Sequence, residues 1–566
     1  MTLQDVTFTL ISCAFFMALV AYIAYIKTKG QVDSREGYFL AGRSLSGLFI
    51  AGSLLLTNLS AEQLVGLNGS AYGYNLSSMG WEVTAGAAIV IMALYFLPRY
   101  LKGAFTTLPE FLNARFDDGV RRLSVILFML GYGLVTIPAV LYSGSIAVLR
   151  LFDVPQLLNV SYSAGLAITI LVIGTIGGVY AVFGGLKAVA VSDTINGIGL
   201  LIVGILVPIL GLIALGEGNF LGGLDTLLSK NTEKLNAVGS PEDPLPFGTL
   251  FTGMIFANLF YWGTNQYVIQ RTLGAASLKE GQIGVILSGY YKLLVPFLMM
   301  IPGVIAFHLY GSGLETIDLA YPALVRDLLP TYLSGFFLAV LLGAVFSSFN
   351  SLLNSAATMF VLDVYEPLRK APMSEKKVVQ VAKIASIVIA LFSFVVSPLL
   401  QYAPEGLWQI IRVFTGFYNI PIIAVVLVGL FFKQVPAVAA KISIIGHVIA
   451  YALLRFVIEV DIHFVHIYAI LFVSEFVLML VIGRMYPNTK MWSYTYHRDE
   501  VDMTPWRWAY PASFMLIALI VIVYLTFSSI GFVNGLSSSY WPLVIVTLFF
   551  ALMASWVSLK KSGPVT

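Results

Sequence analysis

Fifteen runs of this chain are apolar over about 20 residues or more, the length a helix needs to cross the hydrocarbon of a bilayer. They lie near 6–26, 46–71, 77–98, 123–149, 158–181, 188–215, 247–269, 281–311, 331–364, 378–400, 405–431, 437–457, 464–483, 508–530 and 540–559. A chain in lipid must satisfy its backbone internally, so runs of this length predict an all-α integral membrane protein. Only 11% of the 566 residues are charged, less than half the roughly 25% of a soluble domain. That excludes a soluble multidomain enzyme, and the 58% hydrophobic content excludes a disordered chain. A net charge of +3, with basic residues spread over short loops, excludes a nucleic-acid binder. The single cysteine, Cys13, sits in an apolar run and forms no intrachain disulfide or cysteine-built metal site. The first run lacks a basic leader and a small-residue cleavage site, so it is expected to be retained as a span.

Loop charges predict the orientation. Lys27, Lys29, Arg35 and Arg43 follow the first run; Arg99, Lys102, Arg115, Arg121 and Arg122 follow the third; Arg369, Lys370, Lys376 and Lys377 follow the ninth. The alternate loops are nearly free of Lys and Arg, and the longest, 216–246, is acidic on balance. The positive-inside rule then puts the N-terminus outside and the C-terminus, with Lys560 and Lys561, in the cytoplasm. No Walker lysine motif, HExxH or GxSxG is present, and no metal cofactor is expected.

Polar groups inside the runs carry the functional signal, because they are costly in lipid. The second run reads LFIAGSLLLTNLSAEQLVGLNGSAYG, with Thr57, Asn58, Ser60, Glu62, Gln63 and Asn68 in mid-span. A broken helix lining a cavity accounts for them, with a merely polar helix interface as the plainer alternative. Glu82 follows Trp81, a pairing that suits sugar hydroxyls and a sugar CH face, or equally an interfacial glutamate beside a tryptophan anchor. Asn258, Tyr261, Trp262 and Asn265 share one helical face around Gly263. Lys292 lies too deep to snorkel and needs a carboxylate or ligand oxygens. Ser347, Ser351, Asn354 and Ser355 form a stripe that reads as packing glue or, with Ser348 and the Ala344 carbonyl, as hard oxygens for a monovalent cation. Arg412 lies near the outer end of its run, and Asp193 near the inner end of the sixth, where it either serves a cation or caps a helix.

TNLSAEQLVG, ANLFYWGTNQYVIQRTL, YKLLVPF, the Pro302–Gly303 pair and FSSFNSLLNSAATMF together resemble the sodium:solute symporter family, which includes the sodium/glucose cotransporters. The resemblance implies a LeuT-type five-plus-five inverted repeat within 46–431, with halves 46–215 and 247–431. One extra helix precedes it, within 1–45, and about four follow, within 432–566. It implies sodium-coupled transport of a sugar across the bacterial inner membrane, with no enzymatic activity and no obligate protein partner. Family sugar-binding positions fall on Gln63, Glu82, Asn258 and Lys292, with Tyr261 covering the sugar from inside. The family sodium site falls on the carbonyls of Leu56, Leu59 and Ala344 and the hydroxyls of Ser347 and Ser348, and Asp193 matches a residue on the sodium exit route. Galactose-transporting members carry asparagine, serine and glutamine where this chain has Thr136, Ala85 and Arg412. Arg412 therefore leaves the solute open between a neutral sugar, an anionic one such as a uronate or a sulfated sugar, and another small organic solute. A membrane sensor or a channel is the competing class.

Epitope tags on the two termini are expected to be accessible from opposite faces of the membrane. Two tags labelled from the same side would overturn the orientation.

Overall fold

The computed structural model describes residues 3–29, 34–103, 105–369, 373–402, 407–488 and 501–561. Among these the chain is all helix, its only β-contacts being two isolated bridges, Leu45 with Ala275 and Ser277 with Asp502. Thirteen helical stretches are long and apolar enough to cross a membrane, so the protein is a multi-pass membrane protein. They account for thirteen of the fifteen apolar runs. The other two, 46–71 and 247–269, are each split into two shorter helices.

The first split separates Gly47–Asn58 from Ala61–Gly73, with a bend of 56° between the halves. It falls at Leu59 and Ser60, inside the cluster of polar residues that predicts it. The second separates Gly253–Gly263 from Gln266–Leu273 at Thr264 and Asn265, immediately past the central glycine. Both breaks are wrapped by protein. Side chains take up the carbonyls freed there: Ser348 Oγ donates to Thr57 O at 3.3 Å, and Tyr100 Oη donates to Gly263 O at 2.9 Å. This is what lets irregular backbone exist at membrane depth.

The fifth and sixth runs emerge as two spans, but no loop parts them. They form one continuous helical element, Tyr162–Leu215, carrying two apolar stretches, Tyr162–Val179 and Leu186–Leu215. Asp193 therefore lies within a helix and caps none. Other spans absorb local strain as π turns. Pro296 cannot donate a backbone hydrogen bond, and the helix Leu278–Val295 passes through a π turn, Pro296–Met300, before resuming as Ile301–Tyr310. Asn68 Nδ2 of the second half-helix donates to the Met299 carbonyl in that turn at 3.2 Å.

The helix Thr331–Met359, with its π extension Phe360–Tyr365, is the hub: 94% of its apolar stretch is buried. Its serine stripe thus faces protein on every side. The N-terminal helix Leu3–Thr28 is the opposite, with 11% of its apolar stretch buried, and it lies on Thr331–Met359 and Tyr162–Leu215. Cys13 is buried in that contact, its Sγ 3.7 Å from Met17 Sδ. After the last core helix, Leu407–Phe431, the helices Ala437–Ala452 and Phe464–Met485 pack against it. Ala509–Thr526 and Tyr540–Lys561 pair with each other on the flank of Leu278–Val295.

Outside the spans, Lys234 caps the second half-helix. Its ammonium donates to the carbonyls of Tyr72 and Gly73 at 2.9 and 3.3 Å and lies 4.1 Å from the Phe307 ring centre.

Close approach of the half-helix Ala61–Gly73 to Ile301–Tyr310 requires Gly303, since a Cβ there would stand 2.1 Å from the Asn68 carbonyl oxygen. Gly303→Ala is expected to lower unfolding free energy by about 1–3 kcal/mol. Gly446→Ala, with no atom within 4 Å of its added Cβ, should be near neutral. Thermal unfolding of the purified protein in detergent checks both.

Candidate functional site

The two breaks and the helix Leu407–Phe431 enclose a narrow polar cavity. Its walls include Asn58 at the end of the first half-helix, Trp81 and Glu82 of the third span, and Asn258, Tyr261 and Trp262 above the second break. Lys292, Arg412, Thr415, Asn419 and Tyr468 complete it. The free space is about 30 Å³, room for about two water molecules. A larger solute enters only as these side chains part.

Charge organises the cavity. Lys292 forms an ion pair with Glu82, and the two side chains are 4% and 3% exposed. Their spans are 210 residues apart in sequence. Burial of either ion alone would cost several kcal/mol, so each is the condition for the other. Gln63 Nε2 donates to Glu82 Oε1 at 3.0 Å, holding the carboxylate from the half-helix side. The interfacial alternative for Glu82 is thereby excluded: it is a buried group with two partners. Asn258 Nδ2 donates to Thr84 Oγ1 at 3.1 Å, and Tyr267 Oη donates to Tyr261 Oη at 2.8 Å, which holds the Tyr261 ring in the cavity wall. The Lys292 ammonium also lies 5.6 Å from the centre of the Trp262 ring. Arg412 lies over Trp81, its Cζ 4.7 Å from the ring centre, and Glu62 is within electrostatic reach of it.

Of the sugar positions implied by the resemblance, Glu82, Asn258, Tyr261, Lys292 and Arg412 come together on this cavity. Gln63 meets it through Glu82 and does not line it. Asn265, on the same helical face by spacing, lies across the break, where its Oδ1 accepts from Tyr132 Oη at 2.5 Å. Asn58, Thr415, Asn419 and Tyr468 are additional walls. Arg412, Thr415 and Asn419 recur at helical spacing, so the second and third could have been found from the first. For Tyr468, far along the chain, the sequence holds no comparable signal.

The first break also meets the serine helix. The hydroxyl of Ser348 reaches the Thr57 carbonyl, and that of Thr57 is 3.5 Å from Ser351 Oγ. Ser347 is buried beside Asp193. Asp193 in turn accepts from Ser53 Oγ at 2.7 Å, and Ser53 accepts from Arg271 Nε at 2.7 Å. The Arg271 guanidinium, fully buried, also reaches Asp193 at 3.7 Å, and contacts Ser351 and the Tyr267 carbonyl. Ser351 Oγ closes the ladder by donating to Ser347 O at 2.5 Å. Arg271 is the functional candidate that motif reading passes over, although it stands inside ANLFYWGTNQYVIQRTL. An arginine six residues beyond a helix break is its only signal.

A half-helix, a serine hub and a carboxylate–ammonium cavity in this order fit one family. Its sequence profile, the Sodium:solute symporter family, matches residues 38–446. The chain belongs to the sodium:solute symporter family. It is 42% identical over 550 residues to the uncharacterized symporter YidK of Escherichia coli strain K12, covering 97% of this chain and 96% of that one. It is 31% identical over 442 residues to a sodium/glucose cotransporter of Vibrio parahaemolyticus, covering 74% and 79%. With the sheep sodium/glucose cotransporter 1 the identity is 30%, over 76% and 68% of the two chains. A solved structure of a Na+-coupled sialic acid symporter in a substrate-bound outward-open state superposes with a TM-score of 0.74 at 22% identity. It covers 86% of this chain and 99% of its own, and the all-α five-plus-five fold is shared. Sodium is the coupling ion of the family.

Removing Lys292 alone leaves the Glu82 carboxylate buried and unneutralised. Lys292→Met should cost about 3–5 kcal/mol of stability, and the double variant Glu82→Gln/Lys292→Met should recover most of it. Thermal midpoints of the two variants, compared with the parent, decide this.

Proposed function

We propose that this symporter couples the inward movement of sodium to uptake of a sugar by alternating access, across the inner membrane of a bacterium. The observation that carries the reading is the Glu82–Lys292 pair, flanked by Asn258 and the rings of Tyr261 and Trp262 and set directly against the broken half-helix. Such a set matches a sugar's needs: hydroxyls donate to the carboxylate, accept from the ammonium and the amide, and the CH face lies on a ring. The sodium/glucose cotransporters among its relatives support the same solute class.

In this reading sodium is taken up by the carbonyls of Leu56, Leu59 and Ala344 and the hydroxyls of Ser347 and Ser348. These groups belong to the break and to the serine helix, so occupancy ties the two together. The hydrogen bond from Ser348 to Thr57 already brings them into contact. Fixing the break orders Asn58 at the cavity wall and Gln63 behind Glu82, which favours solute binding; by linkage the solute favours sodium equally. Asp193, held by Ser53 and Arg271 beside Ser347, then receives the ion on its way to the cytoplasm. Entry down the membrane potential supplies ~2.3 kcal/mol per charge per 100 mV.

A second solute reading is favoured by the cavity walls. Arg412 lines the cavity beside Lys292, so the walls present a guanidinium as well as an ammonium. A sugar bearing a carboxylate or sulfate could accept a charge-assisted hydrogen bond from a guanidinium in that wall.

Purified protein in proteoliposomes, given labelled neutral and acidic hexoses with and without an inward sodium gradient, tests the function. Saturable uptake that needs the gradient supports symport; gradient-independent flux without saturation points to a channel, and binding without flux to a sensor. Ser348→Ala is expected to raise the half-saturating sodium concentration about tenfold, and unaltered uptake at limiting sodium would remove the sodium assignment. Arg412→Gln should shift preference from uronate towards the parent hexose, and an unchanged ratio would assign the neutral sugar.

A further inference from the structure

Of the two helices that follow the repeat, Ala437–Ala452 and Phe464–Met485, the second reaches the cavity from beyond the family profile. The profile match ends at residue 446, yet Tyr468 lies in the cavity wall, 1% exposed. Its hydroxyl donates to the main-chain carbonyl of Arg412 at 2.5 Å. The Arg412 guanidinium meanwhile lies over Trp81, which stacks on Phe464 with ring centres 6.3 Å apart and planes 14° from parallel. Phe464 meets Tyr468 edge-on at 5.5 Å. The contacts close a ring: Arg412 side chain, Trp81, Phe464, Tyr468, Arg412 carbonyl.

Two more donors from the same helix pair grip the same stretch. Tyr451 Oη donates to Val413 O at 2.8 Å, and His447 Nε2 donates to Gly416 O at 3.0 Å. A carbonyl can only accept, so Nε2 must carry a proton. The other ring nitrogen, Nδ1, is paired with the buried Glu475 carboxylate, which orients the imidazole. Three side chains thus hold carbonyls 412, 413 and 416, ahead of Pro421, where the helix loses a backbone donor.

We infer that Tyr468, on a helix outside the inverted repeat, is a positioning residue for the solute site: with Phe464 and Trp81 it fixes the Arg412 guanidinium at the cavity wall, and His447 and Tyr451 lock that turn of helix to the C-terminal pair. The segment carrying Arg412, Thr415 and Asn419 then moves with Ala437–Ala452 and Phe464–Met485 as one body. This rests on reading the cavity as the solute site.

The test measures sodium-dependent uptake of methyl α-D-glucopyranoside and of D-glucuronate in proteoliposomes, for the parent, Tyr468→Phe, Arg412→Gln and the double variant. Loss of the Tyr468 hydroxyl is expected to raise KM for the transported probe about fivefold with Vmax changed less than about twofold. In the Arg412→Gln background the same change should have no further effect. An equal rise in both backgrounds, or none in either, overturns the proposal. Should the parent take up neither probe, the sugar reading fails and a solute-independent readout decides the positioning role. In a Cys13→Ser background, modification of Arg412→Cys by a cationic methanethiosulfonate is timed with and without Tyr468→Phe. A several-fold change in rate supports the role of Tyr468, and an unchanged rate overturns it.

Discussion

Everything in this fold follows from the need to give each backbone carbonyl and amide a partner away from water. Continuous helices meet it by themselves, and most of the chain does so. The two exceptions are the breaks at Leu59–Ser60 and Thr264–Asn265, and each survives because another helix supplies the missing group. Ser348 serves Thr57 and Tyr100 serves Gly263. The half-helix ends therefore bind their neighbours before they bind any solute. A break made of such contacts can be rearranged without unfolding, because one oxygen ligand can replace another. A coupling ion that brings oxygen-seeking charge to the Thr57 region competes on those terms, which an uninterrupted helix would not permit.

The second organising element is charge compensation. Glu82 and Lys292 come from different halves of the chain and meet in a cavity with almost no free volume. Asp193 and Arg271 do the same beside the serine helix. In both pairs a residue of the first half meets one of the second. Relative movement of the two halves must stretch or exchange these contacts, and low dielectric makes an uncompensated charge expensive. Hydroxyls of a solute at Glu82 and Lys292, and a cation near Asp193, are groups that could take over as partners while the halves move. On the proposed reading, two small ligands that replace these partners would lower the barrier to that motion.

How much of this was legible in the sequence depends on range. Thirteen apolar runs emerge as spans and the two polar, glycine-interrupted ones as broken helices, because helix length and local hydrogen-bond competition are properties of a short window. The depth of Lys292 announces that it needs a carboxylate or ligand oxygens, and the structure supplies the carboxylate. Depth alone could not say which, since Glu82 is 210 residues away. Gln63 was read from a motif as a solute contact, and its amide is found on Glu82; the motif records that the residue matters at the site without recording what it touches. The fifth and sixth runs emerge as two spans, Tyr162–Val179 and Leu186–Leu215, but the Gly184–Gly185 and Lys187 stretch between them, which resembles a loop, continues as helical backbone. Arg271 and Tyr468 were passed over for a shared reason. Arg271 finds Asp193, Ser53 and Ser351 on helices distant in sequence, and Tyr468 finds a main-chain carbonyl 56 residues away; neither pairing can be read from a short window of sequence.

The C-terminal helices illustrate why a repeat architecture does not exhaust a site. The helix Leu407–Phe431 ends the second half of the expected repeat, and with Pro421 inside it its outer turns have a weakened connection to the rest. Left alone, a bend there would let Arg412 wander by several ångströms, more than a hydrogen bond tolerates. Three donors from Ala437–Ala452 and Phe464–Met485 remove that freedom by gripping the carbonyls of residues 412, 413 and 416. The grip is on the main chain, but the solute feels it through the side chain at 412, whose guanidinium reaches over Trp81. On the proposed reading a different side chain there changes both the group offered to the solute and its dependence on Tyr468. Scaffold and specificity are in this way assigned to different helices, and the helices beyond the repeat supply the scaffold.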